Sequence, residues 1–151
     1  MGDWEGDTVY GQDAYLVTLV DRMSRLTLIA KVDTKQSGTV ADSMISLLER
    51  VSTVHTITLD NGGEFAAHRK VSEAVNADVF FAKSYASYQR GTNENTNGII
   101  RRTWPKKMAL GELTEEEVRE TEFLINTMPR KVLGGRTPLE VYTGKSIALI
   151  A

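Results

Sequence analysis

The sequence predicts an α/β domain whose elements run strand, strand, strand, helix, strand, helix, strand, with further helices to follow. Three observations predict it. Short apolar or alternating runs fill the first 32 residues, a helical stripe replaces them from Val40, and a strand-like run returns at His55 to Leu59. A chain of 151 residues with 41% apolar and 25% charged residues is ordinary for one globular domain and can bury a real core.

Asp3 to Val9 reads as the first strand, and after a Gly11-Gln12-Asp13 turn the run Ala14 to Val20 is apolar enough for a strand buried on both faces. Leu26, Leu28, Ala30 and Val32 alternate with Arg25, Thr27, Ile29 and Lys31, and Asp21-Arg22-Met23-Ser24 supplies the turn before them. Three strands joined by short turns make an antiparallel meander. Val40, Met44, Leu47, Leu48 and Val51 then lie on one helical stripe, with Ser37 or Thr39 as its cap. The strand ending at Leu59 follows a crossover helix, so it is expected to run parallel to its partner through a right-handed connection. Asp60 thereby falls at the carboxyl end of a parallel strand, where the chain turns out through Asn61-Gly62-Gly63 and side chains face a crevice.

Glu64 to Val75 reads as a helix with Glu64 in its first turn, and Asp78 to Phe81 as a short strand. Lys83 to Arg90 is a polar loop. Thr92 or Asn93 caps a helix to about Thr103, ahead of Pro105, on which Glu94, Asn97 or Gly98, and Arg101 share a polar face. Thr114-Glu115-Glu116-Glu117 has the form of a capping box and opens a helix to about Thr127. Lys131 to Arg136 is a loop, and Thr137-Pro138 starts a last short helix ending near Gly144. There is no internal repeat and no linker, so residues 1–151 read as one domain.

Composition removes several chemistries. Without cysteine there are no disulfides, thiolate nucleophiles or sulfur-bound zinc, and His55 and His68 are too few for a histidine-rich centre. Any metal is held by oxygen. No run of roughly 18 apolar residues exists and Met1-Gly2-Asp3 is unlike a signal peptide, so a cytoplasmic protein is expected. Net charge is −2, against the usual basic footprint of a nucleic-acid binder. The positive charge is local, however: Arg90, Arg101, Arg102, Lys106 and Lys107 crowd one segment, with Arg130, Lys131 and Arg136 further on. Such a face acts within a Debye length of about 8 Å whatever the overall charge.

Three acids stand out: Asp7 in the first strand, Asp60 at a strand end, and Glu94 on a polar helix with 33 residues between it and Asp60. Carboxylates from separate elements suit hard divalent cations, and two such ions about 3.5 to 4 Å apart can serve phosphoryl transfer. With 20 acids in the chain, spacing alone does not single out this triple.

Trp4-Glu5-Gly6-Asp7, Leu59-Asp60-Asn61-Gly62-Gly63-Glu64-Phe65 and the tract from Gln89 to Gly98 resemble the integrase-type catalytic core of bacterial insertion-sequence transposases, most closely the IS-thirty family. The resemblance runs from Trp4 to about Tyr142 and takes in Val20 to Arg25, Asn126 to Lys131 and Arg136 to Val141. It implies a ribonuclease H-like fold with a mixed five-stranded sheet. It implies a catalytic and metal-binding triad of Asp7, Asp60 and Glu94, with magnesium or manganese in a two-metal site and no organic cofactor. It implies cutting and joining of DNA at transposon ends, with transposon-end and target DNA as partners, and a homo-oligomer, expected to be a dimer, acting at the bacterial nucleoid. A helix-turn-helix recognition part, expected before such a core, is absent from this chain.

The candidate DNA contacts are Asn93, Asn97, Arg90, Arg101, Arg102, Lys106 and Lys107. Each has a plainer reading: the asparagines cap or pack locally, and the basic residues form a solvated face. Asp21 is a turn former that imitates a ligand, Glu64 stabilises a helix start, His68 is a surface or supporting residue, and Trp4 and Trp104 are core aromatics. Two other functions stay open: a ribonuclease H-like nuclease without strand transfer, and a catalytically silent dimerisation fragment.

Overall fold

In the computed structural model, residues 1–82, 91–105 and 108–145 are described, the side chains of 91–95 excepted. The meander is formed by β1 (Asp3–Tyr10), β2 (Tyr15–Asp21) and β3 (Thr27–Val32), paired antiparallel along the chain. Helix α1 (Ser37–Leu48) crosses over to β4 (Thr56–Leu59), which pairs parallel with β1, and α2 (His68–Val75) leads to β5 (Asp78–Phe81), parallel with β4. The sheet order is β3-β2-β1-β4-β5. Helices α3 (Gly91–Thr103), α4 (Glu115–Asn126) and α5 (Pro138–Thr143) complete the chain.

Both faces of the sheet are covered. Even-numbered Trp4 on β1 joins Leu19, Leu28, Met44, Leu48, Ile57 and Leu59 in a core under α1 and α2. Odd-numbered Val9 joins Leu16, Ile29, Ile100, Trp104, Val118 and Ile125 under α3 and α4. The period of two along the strands thus sorts the apolar residues between two cores. Each large side chain fully withdrawn from water contributes roughly 1.5 to 3 kcal/mol. Trp4 and Trp104 are core residues, 0% and 4% exposed.

Edge strand β3 is closed by side chains from α4. Asn126 Oδ1 accepts from Thr27 N–H at 2.8 Å while its Nδ2 donates to Thr27 O at 2.7 Å, and Glu122 Oε2 accepts from Ile29 N–H at 2.8 Å. Unpaired strand groups that invite another sheet are satisfied here by a helix. Arg50 donates to both oxygens of Glu122, and that bond raises the Arg50 pKa above the usual arginine value despite partial burial.

The capping boxes at Thr114 with Glu117 and at Thr137 with Glu140 both form. Four expectations are corrected. Helix α3 begins at Gly91, so Thr92 and Asn93 lie inside it and do not cap it, and the stretch expected as a loop over Lys131 to Arg136 contains a 3₁₀ turn, Lys131–Leu133. The cap of α1 is Gln36, with no side-chain bond, rather than Ser37 or Thr39, which lie inside the helix. The helix expected over Glu64 to Val75 is split into a 3₁₀ turn, Gly63–Phe65, and α2, because Glu64 is drawn into tertiary contacts. The polar loop expected over Lys83 to Arg90 lies outside the described residues. No helix among the described residues is long and apolar enough to cross a membrane.

Candidate active site

β1 and β4 run side by side with Asp3 opposite Thr56, Trp4 opposite Ile57 and Glu5 opposite Thr58. Continuing this register two residues further brings Asp7 level with Asp60. Trp4 faces α1, so alternation turns Asp7 to the other face, toward α3, and Asp60 directly follows the end of β4. Gly6 permits the close approach of the strands: a Cβ there would lie 2.5 Å from Leu59 Cδ2. The glycine between Glu5 and Asp7 is therefore a packing requirement of the strand that carries the acid.

Both carboxylates are held. Asp7 Oδ1 accepts from Thr8 N–H at 2.8 Å, and Oδ2 accepts from Asn97 Nδ2 at 2.9 Å. Asp60 Oδ1 accepts from Gly62 N–H at 2.7 Å, the local turn that its Asp-Asn-Gly sequence favours. Asn97 thus ties α3 to the acid of β1, across 90 positions of sequence. Glu94 precedes Asn97 by three residues, so its position falls on the same helical face. The side chains of Asn93 and Glu94 lie outside the described residues, as do Arg90, Lys106 and Lys107.

The described basic candidates divide. Arg101 Nη2 donates to Tyr10 O at 2.9 Å, fastening α3 to the end of β1, while its Nη1 is buried without a partner. Arg102 is exposed in the last turn of α3. Asp21, the imitator, is fully buried: Oδ1 accepts from Gly2 N–H, and Oδ2 from Ser24 N–H and Oγ. It clasps the β2–β3 turn to the N-terminus, as its turn motif suggests.

Sequence reasoning gave Glu64 too small a place. It is 6% exposed, its Oε1 accepts from Thr8 Oγ1 at 3.1 Å, and its Oε2 lies 3.7 Å from Lys35 Nζ. Lys35 also donates to the Tyr10 hydroxyl at 2.8 Å and sits 4.2 Å from the Tyr10 ring centroid. The Tyr10 bond, ahead of the Glu64 charge, raises the Lys35 pKa above the ordinary lysine value. A Cβ on Gly62 would collide with both Glu64 Oε2 and Asp60 Oδ1, so two carboxylates flank one glycine. The signal was available in Gly62, two residues before Glu64, where a side chain would fill the room the carboxylates take. His68 packs edge-on against Phe81, with ring centroids 4.9 Å apart, and supports α2 rather than the acids.

The donor set is oxygen throughout, which fits a hard divalent cation and no soft one. Asn97 Oδ1 is a buried acceptor without a donor beside Asp7, a group that a nearby cation would satisfy. Among the described residues no three acidic, histidine or cysteine side chains form a metal cluster. Asp7 and Asp60 supply two carboxylates, and the Glu94 side chain is outside that set.

A family profile described as "Integrase core domain" matches residues 1–87. The transposase for insertion sequence element IS4351 of Bacteroides fragilis is 38% identical over 144 residues, covering 93% of this chain and 44% of that protein. Transposase InsI for insertion sequence element IS30A of Escherichia coli (strain K12) is 38% identical over 146 residues, covering 93% of this chain and 38% of that protein. The chain therefore spans less than half the length of these relatives. In structure it is similar to the catalytic core domain of BIV integrase, with a TM-score of 0.73 and 21% identity over 95% of this chain and 94% of that one. A chain of the simian T-cell lymphotropic virus intasome, solved in complex with PP2A regulatory subunit B56 gamma, gives 0.76 at 16% identity, covering 96% and 55%. Both likenesses carry the fold, a ribonuclease H-like mixed sheet of five strands.

Proposed function

The chain belongs to the integrase core domain family, and on that premise we propose that it is the catalytic core of an insertion-sequence transposase that cuts and joins DNA at the ends of its element. The observation that supports this best is the Asn97 bond to Asp7, which fastens the helix that carries Glu94 to β1, while Asp60 directly follows β4, the parallel neighbour of β1. Residues 1–151 form one such core, and recognition of the element's terminal repeats belongs to a helix-turn-helix part of the parent protein.

Divalent metal ions are general to the family, and here magnesium or manganese would be held by Asp7, Asp60 and Glu94. When bound, the ions lower the pKa of the attacking oxygen and offset charge on the transferring phosphate. Asn97 keeps the Asp7 carboxylate in one orientation through the Oδ2 bond. Gly62 N–H does the same for Asp60. Arg101 anchors α3 against the end of β1, which fixes the approach of its first turns to the sheet. Hydrolysis and strand joining use this one site, with water or a DNA 3′-hydroxyl as nucleophile and no covalent protein–DNA intermediate. Transposases and integrases act on DNA in oligomeric complexes, and this core works as a homodimer or larger assembly. Its DNA-facing residues include Asn93, Arg90, Arg102, Lys106 and Lys107, with Asn97 and Arg101 holding the helix among them.

The test is a calorimetric titration with manganese, followed by nicking and strand-transfer assays on a duplex carrying the element ends. Wild type should bind and Asp60→Ala should not. Glu94→Ala should lose cleavage with its circular dichroism spectrum unchanged. Retained cleavage in Glu94→Ala would remove that residue from the reaction, and absence of manganese binding by wild type, with and without duplex, would sink the metal site.

A further inference from the structure

Arginine is almost never fully buried unless paired, because a charge removed from water needs a compensating partner. Arg130 departs from this. Its side chain is 7% exposed, and Nε and Nη2 are both buried with no hydrogen-bond partner. Its backbone is closely held: the N–H donates to Arg136 O at 3.0 Å, and the carbonyl accepts from Leu133 N–H at 3.1 Å and Gly135 N–H at 2.8 Å. Gly134 and Gly135, at φ +67° and +87°, allow the chain to curl around this residue.

The surroundings are positive. Burial first, then the charges of Arg25 and Arg102, push the Arg130 pKa below the usual arginine value. Arg25 is delivered from the β2–β3 turn at φ +66°, a conformation uncommon for a residue with a Cβ. Arg102 comes from the last turn of α3, and Arg130 from the segment after α4. Like charges beside a buried guanidinium add to the cost of its burial. An anion among them would reverse that.

Nε and Nη2 share one edge of the guanidinium plane, the edge that grips two oxygens of one oxyanion side by side. We propose that Arg130, with Arg25 and Arg102 beside it, is a phosphate receptor, and that its ligand is a phosphodiester of the DNA backbone. This rests on the DNA-acting reading above. Arg102, exposed, meets the phosphate first, and displacement of the atoms covering Arg130 then lets its free edge close on the oxygens. The helices that bring Arg102 and lead to Arg130 cover the same sheet face as Asp7. The receptor therefore grips the duplex on the face that carries Asp7 and adds affinity without chemistry.

The experiment is done in a metal chelator. Thermal midpoints are measured in inorganic phosphate and in chloride at equal ionic strength, and affinity for a duplex oligonucleotide is followed by anisotropy against salt. Because phosphate stabilises many proteins by exclusion from their surface, the reading is the difference between wild type and variants. Arg130→Lys keeps the charge and loses the edge, and Arg102→Gln alters only an exposed helix end, so at least one variant folds. A saturable phosphate effect in wild type, reduced in both variants, with the slope of log affinity against log salt shallower by about one in Arg102→Gln, bears the proposal out. Equal phosphate effects in wild type and variants overturn it, as does an unchanged duplex slope beside a real phosphate effect, which would assign the receptor to a free oxyanion. Metal-dependent nicking that persists with no phosphate difference overturns the receptor and leaves the proposed function standing. The phosphate and slope effects without any nicking support the receptor and sink the proposed chemistry.

Discussion

Asn97→Ala separates positioning from stability. The Asn97 Nδ2 bond to Asp7 Oδ2, 2.9 Å long and made to a charged group, contributes about 1.5 to 3 kcal/mol at most, less for being half-buried. Its Oδ1, buried without a donor, costs about 1 to 3 kcal/mol. Alanine removes both. The two offset, so the metal-free variant should unfold within about 1 kcal/mol of wild type, a shift of roughly 2 to 4 °C in Tm for a domain of this size. Manganese affinity, by contrast, should fall roughly tenfold to hundredfold, the usual cost of losing a group that orients a ligand. Urea denaturation in chelator gives the first quantity and calorimetry the second. A loss above about 2 kcal/mol without metal, or an unchanged manganese affinity, would refute the reasoning: Asn97 would then be a fastener of α3 and nothing more.

Asn126→Ala strips both bonds from the Thr27 backbone on edge strand β3. Thr27 is fully buried, so its N–H and C=O are left unsatisfied, and a loss of about 2 to 4 kcal/mol by urea denaturation is expected. Gly62→Ala is compatible with the local φ of −66° but drives a methyl into the Asp60 and Glu64 carboxylates. It should keep the circular dichroism of the fold and lose most manganese binding; full binding would show that these carboxylates move freely. Thr114→Ala removes the capping box of α4 and should cost about 1 kcal/mol with manganese affinity unchanged, a control distant from the acids.

Much of this was legible because local chemistry and tertiary structure agree. Alternation in Leu26 to Val32, the helical stripe from Val40 and the Thr114 and Thr137 caps each specify an element without help from distant residues. Asp60 could be placed at a strand end because its turn motif is local. What escaped depends on long-range contacts. Glu64 looks like a first-turn helix acid until Thr8, 56 positions away, and Lys35 draw it inward and break the helix. Asn97 reads as either a DNA contact or a locally packed residue and Arg101 as a solvated or DNA-contacting one, and the partners they have, Asp7 and Tyr10 O, come from β1. Asn126 and Glu122 look like ordinary helix-surface residues until β3 presents its bare edge.

The pairing of β1 with β4 also sets when Asp7 and Asp60 can approach one another. β1, β2 and β3 close on one another through short turns, whereas β4 reaches β1 only after α1 has been traversed. Contacts so far apart in sequence pay the larger loop-closure entropy and form late. A chain emerging from synthesis with only its meander formed carries Asp7 but has no neighbour for it. Asp60 is brought toward Asp7 only when β4 joins β1, so the meander alone cannot assemble the proposed site.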